Sequence, residues 1–175
     1  MRPMKNNFAA NLLLPIFCLL TYSLHTQTFT DIPGPMGTTR CLLKGLNGEL
    51  YIGSSTKGVF RSLDNGQTWS GLGGNTIMTG RINALAFDTS GQIMAATEQG
   101  GIKRWNGTAW ISINAGLQTG CGIPIPIRAL AVDPAGNYYA GAHGYTSCFT
   151  KGDLYHFDGT SWVSIAAGLT NTNIN

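Results

Sequence analysis

Charge is what this sequence has least of. Only 11% of its 175 residues are Asp, Glu, Lys or Arg, less than half of the roughly 25% usual in a soluble domain. The net charge is +3, and two of the cations, Arg2 and Lys5, stand at the extreme N-terminus. No cluster of lysine or arginine occurs, which argues against a nucleic-acid partner or an acidic membrane surface. Acids number eight, so paired carboxylates for acid–base catalysis are scarce from the outset. No window of a dozen residues repeats its apolar positions at a helical period, which excludes amphipathic helices as the main building unit.

A membrane-length apolar run is missing too. "LLLPIFCLL", Leu12 to Leu20, is far below the ~20 residues of a membrane span. With Arg2 and Lys5 before it and the polar "TYSLHTQ" after it, the run has the layout of a secretory signal peptide. Residues 1–27 are therefore read as a leader cut between Ser23 and Thr28. Cys18 is not read as a lipoprotein anchor, because the bulky Phe17 precedes it. The expectation is an exported chain, secreted or held at the cell surface or in the periplasm, with no transmembrane segment after cleavage.

Glycine is what the sequence has in excess, 24 residues against a usual share of roughly 7%. The glycines mark an internal repeat. "TRCLLKGLNGELYIGSSTKGVFRSLDNGQTWSGLG", "RINALAFDTSGQIMAATEQGGIKRWNGTAWISINAGL" and "IRALAVDPAGNYYAGAHGYTSCFTKGDLYHFDGTSWVSIAAGL" align with Gly48, Gly91 and Gly136 in register, 43 and 45 residues apart. Each copy holds four short runs of alternating apolar residues bounded by Gly, Asn, Asp and Ser, the pattern of half-buried strands joined by hairpins. Asn65-Gly66, Asn106-Gly107 and Asp158-Gly159 are expected to form two-residue turns, with both central residues at positive φ.

A four-stranded antiparallel unit of this length repeated in tandem predicts an all-β chain of β-propeller blades, at about 38–74, 80–117 and 126–169 within a repeat region spanning 28–175. Closed propellers take four to eight blades. The chain is then the first part of a longer propeller, or it closes by associating, or it stays open with edges that invite self-association. The first of these is favoured.

Within the first copy, "SLDNGQTW" resembles the Asp-box, or BNR repeat, with pattern Ser-x-Asp-x-Gly-x-Thr-Trp. Ser62, Asp64, Gly66, Thr68 and Trp69 match all five defining positions. The other copies keep shorter echoes, "NGTAW" and "DGTSW", and these look like the propeller repeats of bacterial two-component sensor proteins. The resemblance implies a propeller fold; Asp-box propellers include sialidases and plant-polysaccharide hydrolases. Read from the residues, the motif is a self-capped hairpin. Asp64 accepts amides of its own turn, Ser62 and Thr68 close the flanks, Gly66 takes a backbone conformation barred to other residues, and Trp69 anchors the turn by burial. A calcium loop would need more carboxylates than are present.

Catalysis by a sialidase-like site would need a tyrosine or carboxylate nucleophile and an arginine cluster. Asp64, Asp88, Asp133 and Asp158 all fall in turns. Arg40 and Arg128 align at the start of the first strand of their copies, opposite Asn83, where a central channel would lie. Two arginines do not make the cluster, and no catalytic residue, metal or cofactor is expected. His143 and His156 lack further ligands at metal spacing. Trp105, Trp110 and Trp162 recur in register and are read as core anchors rather than sugar platforms. The "NGT" at Asn106 matches a glycosylation sequon, although the same residues build the turn.

Cys41 aligns with Ala84 and Ala129 and is read as a buried free thiol. Cys121, in the linker before the third copy, and Cys148, in an insertion of that copy, emerge on one face and form a candidate disulfide. That face, with Tyr145 and Phe149 in its loops, is where a ligand is first to be sought; the Asp-box turn lies on the other. The resulting expectation is a non-catalytic binding or interaction scaffold for carbohydrate or protein. The alternative is a piece of an Asp-box glycoside hydrolase or of a two-component sensor.

Overall fold

The computed structural model describes residues 34, 37–73, 80–117, 122–144 and 152–167. Twelve strands occur among them and no helix. The first blade is β1 (Thr39–Lys44), β2 (Leu50–Ser54), β3 (Val59–Ser62) and β4 (Ser70–Gly71). The second is β5 (Ile82–Phe87), β6 (Ile93–Thr97), β7 (Gly101–Trp105) and β8 (Trp110–Ser112). The third is β9 (Ile127–Val132), β10 (Tyr138–Ala142), β11 (Asp153–Phe157) and β12 (Trp162–Ser164). Each forms one antiparallel sheet in chain order. Strands β1, β5 and β9 lie side by side at the inner edges. The outermost strands are only two or three residues long, which limits edge-to-edge pairing.

Alternation along each strand sends one set of side chains to the preceding blade and the other to the following blade. At the first seam Cys41 and Leu43 meet Ile82, Leu85, Ile93 and Trp110. At the second, Ala84, Ala96 and Ile102 meet Ile127, Ala140, Tyr155 and Trp162, with Leu117 and Ile125 of the connecting segment sealed between them. Ile82, Ile102, Leu117 and Ile127 are fully buried, and each such side chain stabilises the stack by about 1.5–3 kcal/mol. A tryptophan ties each seam. Trp110 Nε1 donates to the Leu72 carbonyl (2.9 Å) and Trp162 Nε1 to the Ile113 carbonyl (2.8 Å), the same position one blade later.

Every inner strand carries one extra residue. Register slips between Thr39 and Cys41, between Ile82 and Ala84, and opposite Gly141 and Ala142 leave Arg40, Asn83 and Arg128 outside the ladder. Such bulges bend a strand and re-aim a side chain. At one backbone position the packing tolerates only glycine. A Cβ on Gly116, at φ +84°, would strike the Trp162 carbonyl.

Candidate functional site

The β3–β4 loop holds the five motif residues. Asp64 Oδ1 accepts the Ser62 hydroxyl (2.7 Å) and the Thr68 amide (2.8 Å), and Oδ2 accepts the Thr68 hydroxyl (2.6 Å). Ser62 Oγ in turn accepts the amides of Asp64 (3.3 Å) and Gly66 (2.8 Å). Asn65 and Gly66, at φ 57° and 91°, take the positive-φ pair expected of them, with the Gln67 amide on the Asp64 carbonyl (3.3 Å), but within a loop of eight residues between paired Arg61 and Ser70 in place of a two-residue hairpin. The Thr68 hydroxyl, the Thr68 amide and the Ser62 hydroxyl hold the Asp64 carboxyl down from 3.8 to about 2, because each favours the charged form. Trp69 is only half-buried, whereas Trp110 and Trp162 are 6% and 2% exposed.

The corresponding turns of the other blades depart from expectation. Gly107 and Gly159 have positive φ, but Asn106 and Asp158 do not. Paired Trp105 and Trp110, and paired Phe157 and Trp162, enclose loops of four residues instead of two. The side chains explain the difference. Asn106 Oδ1 accepts the amides of Thr108 (3.0 Å) and Ala109 (2.8 Å), and Asp158 Oδ1 those of Thr160 and Ser161 (2.8 Å each). A side-chain oxygen that closes the turn from its first residue replaces the left-handed pair. The Ser161 and Thr160 amides bring Asp158 down to about 2.

At the end of the blades where the linkers enter, the bulge residues meet the residues that follow the second strands. Glu98 is 8% exposed. Its Oε1 accepts Arg128 Nη2 (3.1 Å) and its Oε2 accepts Asn83 Nδ2 (2.8 Å), which also donates to the Ile127 carbonyl (2.8 Å). Asn83 Oδ1 is buried with no hydrogen-bond partner among the described residues. Arg40 is exposed. The structure thus brings Asn83, Glu98 and Arg128 together across the second seam and leaves Arg40 apart. Glu98 is the member the sequence did not single out. Cys121, Cys148, Tyr145 and Phe149 lie outside the described residues, so the candidate disulfide and the two loop aromatics are not placed. Cys41 is a free thiol, half-buried rather than fully buried, its Sγ 3.8 Å from the Ile82 carbonyl. Burial raises its pKa.

Two adjoining clefts open at the opposite end, along the first seam. One, of ≈ 370 Å³, lies between the β1–β2 and β5–β6 turns and is lined by Leu46, Asn47, Glu49, Tyr51, Phe87 and Thr89. The other, of ≈ 200 Å³, shares Tyr51 and Phe87 and adds Arg61, Leu72, Gln92 and Trp105. Tyr51 and Phe87 meet edge to face at 5.5 Å. Arg61 Nε is buried and makes no hydrogen bond among the described residues. Sequence reasoning sought the ligand face at the other end, where linker and insertion are long. The signal it passed over is an exception to the repeat: Tyr51 and Phe87 are the only facing aromatic pair at that level of the two seams, since Met94 and Val132 stand there in the next.

No family profile matches this sequence, and no curated protein matches it. Solved structures do resemble it. The extracellular domain of BT4673 from B. thetaiotaomicron, described as a one-component and as a hybrid two-component system, is 19% identical over 85% of this chain, with TM-scores of 0.59 and 0.58 in two structures. A GH74 xyloglucanase from Xanthomonas campestris is 18% identical over 74% of the chain, with a TM-score of 0.51. The match takes up 19% and 22% of those chains respectively, so this chain spans about a fifth of their length. The three four-stranded antiparallel sheets, alike in these proteins, give the chain the fold of β-propeller blades.

Proposed function

We propose that this chain is a non-catalytic binding scaffold of an exported propeller protein, with a carbohydrate or a protein surface as its ligand. One observation carries the reading: the described carboxylates are engaged in their own turns or between blades, while an aromatic-lined cleft stands open. Asp64 and Asp158 close their β3–β4-type loops, Asp88 and Asp133 close the turns after β5 and β9, and Glu98 joins two blades. A glycosidase needs a protonated carboxyl and a second carboxylate across the scissile bond, and hydrogen bonds that favour the charged form oppose the first role. The extracellular domain and the xyloglucanase among the similar structures support a setting outside the cytoplasm in which polysaccharide is met. The rival reading, the N-terminal piece of an Asp-box hydrolase such as a sialidase with its catalytic residues in further blades, predicts turnover once those blades are joined to this chain. Incubation of the polypeptide, together with any blades that follow Asn175, with xyloglucan and with a fluorogenic sialoside is expected to release no product between mildly acidic and neutral pH. Release of either product overturns the scaffold reading.

A further inference from the structure

The first seam departs from the repeat at several positions, and the departures converge on one place. Strand pairing puts Arg61 where the second blade has Arg104 and the third has His156. Arg104 has an acid beside it, Asp88 at 3.7 Å. The residue that occupies the Asp88 position in the first blade is Gly45, as the matching turn bonds from Gly45 to Glu49 and from Asp88 to Gln92 establish. Arg61 has therefore kept the guanidinium without the counterpart of Asp88; the Glu49 carboxylate stands over Gly45 instead, and the buried Nε of Arg61 makes no hydrogen bond among the described residues. A buried donor without a protein partner is poised to bond a ligand oxygen. In the same cleft Tyr51 and Phe87 replace Met94 and Val132 of the next seam, and Trp105 stands where the third blade has Phe157. All three rings are half-buried and pack against the core of the first seam.

We infer that this cleft is a carbohydrate site that takes one pyranose ring, its C–H face on the Tyr51, Phe87 and Trp105 rings and its hydroxyls bonded by Arg61 and Gln92. The inference rests on the scaffold reading and names the ligand class of that reading. Aromatic faces suit the apolar face of a sugar, and a mixed set of donors and acceptors suits its hydroxyls. Glu49 lines the adjoining cleft, where its carboxylate is bonded by the Asn47 amide (3.2 Å) and Asn47 Nδ2 (3.4 Å).

The test uses residues 28–175 with the methyl pyranosides of glucose, galactose, mannose, xylose and fucose, followed by saturation-transfer NMR and tryptophan fluorescence. At least one is expected to bind saturably, and Arg61→Gln and Trp105→Ala are each expected to weaken it by about tenfold or more. Gln92→Ala serves as a third variant if Trp105→Ala fails to fold, which circular dichroism detects. Binding that these variants leave unchanged overturns the cleft assignment and keeps the scaffold reading. No binding by the parent chain overturns the sugar inference alone, whereas hydrolysis of a pyranoside overturns the scaffold reading itself.

Discussion

Asp64 concentrates the argument at the scale of a residue. Both its oxygens are occupied by groups within four residues of it, so it holds a loop and has no acceptor directed at a ligand. Asp64→Ala is expected to lower the melting temperature by a few degrees and to leave pyranoside binding as it was. Loss of binding with an unchanged melting temperature would contradict this. The same bonds give the fold an acid limit. A carboxyl held below its unfolded value stabilises the native state above that value, and the contribution fades as pH falls through the folded value. For Asp64 and Asp158, with ordinary values of 3.8 and folded values of about 2, the window runs from about pH 4 down to about 2. Denaturant titrations across it are expected to show a steeper fall in stability for the parent chain than for the Asp64→Ala, Asp158→Ala variant. This role was legible in sequence because partners two to four residues away are fixed by spacing alone. The four-residue turns at Asn106 and Asp158 were not legible, because Asn-Gly and Asp-Gly fit either turn and the choice rests on which amides the side chain reaches.

Between elements, tryptophans do what no single turn can, and their two functions separate experimentally. The Trp162 ring fills the second seam while its Nε1 satisfies the Ile113 carbonyl of the neighbouring blade. Trp162→Phe keeps most of the ring and is expected to cost about 1–3 kcal/mol in urea unfolding, the penalty of a stranded carbonyl. Trp162→Ala removes the ring as well and is expected to cost about 3–5 kcal/mol. Equal losses for the two would mean that the bond carries the effect and the packing little of it. Strand number, order and the recurrence of these tryptophans could be read from the sequence, since alternation and the glycine period are local signals. The pairing of Glu98 with Arg128 could not, because it joins residues 30 positions apart through a bulge that leaves no mark in the pattern. Nor could the vacant partner of Arg61, which shows only when Gly45 and Asp88 are laid on the same turn.

At the scale of the whole molecule, a repeat makes its two ends unequal to its middle. The side of the third blade that would face a following blade carries Ala129 and Ala131, both exposed, and Ile165, 43% exposed. Their counterparts one blade earlier are Ala84 and Ile113, packed into the second seam, and Ala86, 9% exposed. The Ile165 carbonyl matches those of Leu72 and Ile113, each of which accepts a tryptophan from the next blade. Such a surface is complementary to a further blade of the same design, whether in a longer polypeptide or in a second copy. Exposed apolar faces of this kind associate. Purified residues 28–175 are therefore expected to self-associate with rising concentration, and Ile165→Asp to shift them back towards monomer, as light scattering after gel filtration would report. Within residues 28–175 the third blade should also be less stable than the second, since it has one seam where the second has two. Amide exchange should then be faster in β11 than in β7, although both are third strands with the same pairing. A chain that stays monomeric at high concentration, with β11 as protected as β7, would mean that the third blade needs no neighbour, and that a three-blade stack is sufficient by itself.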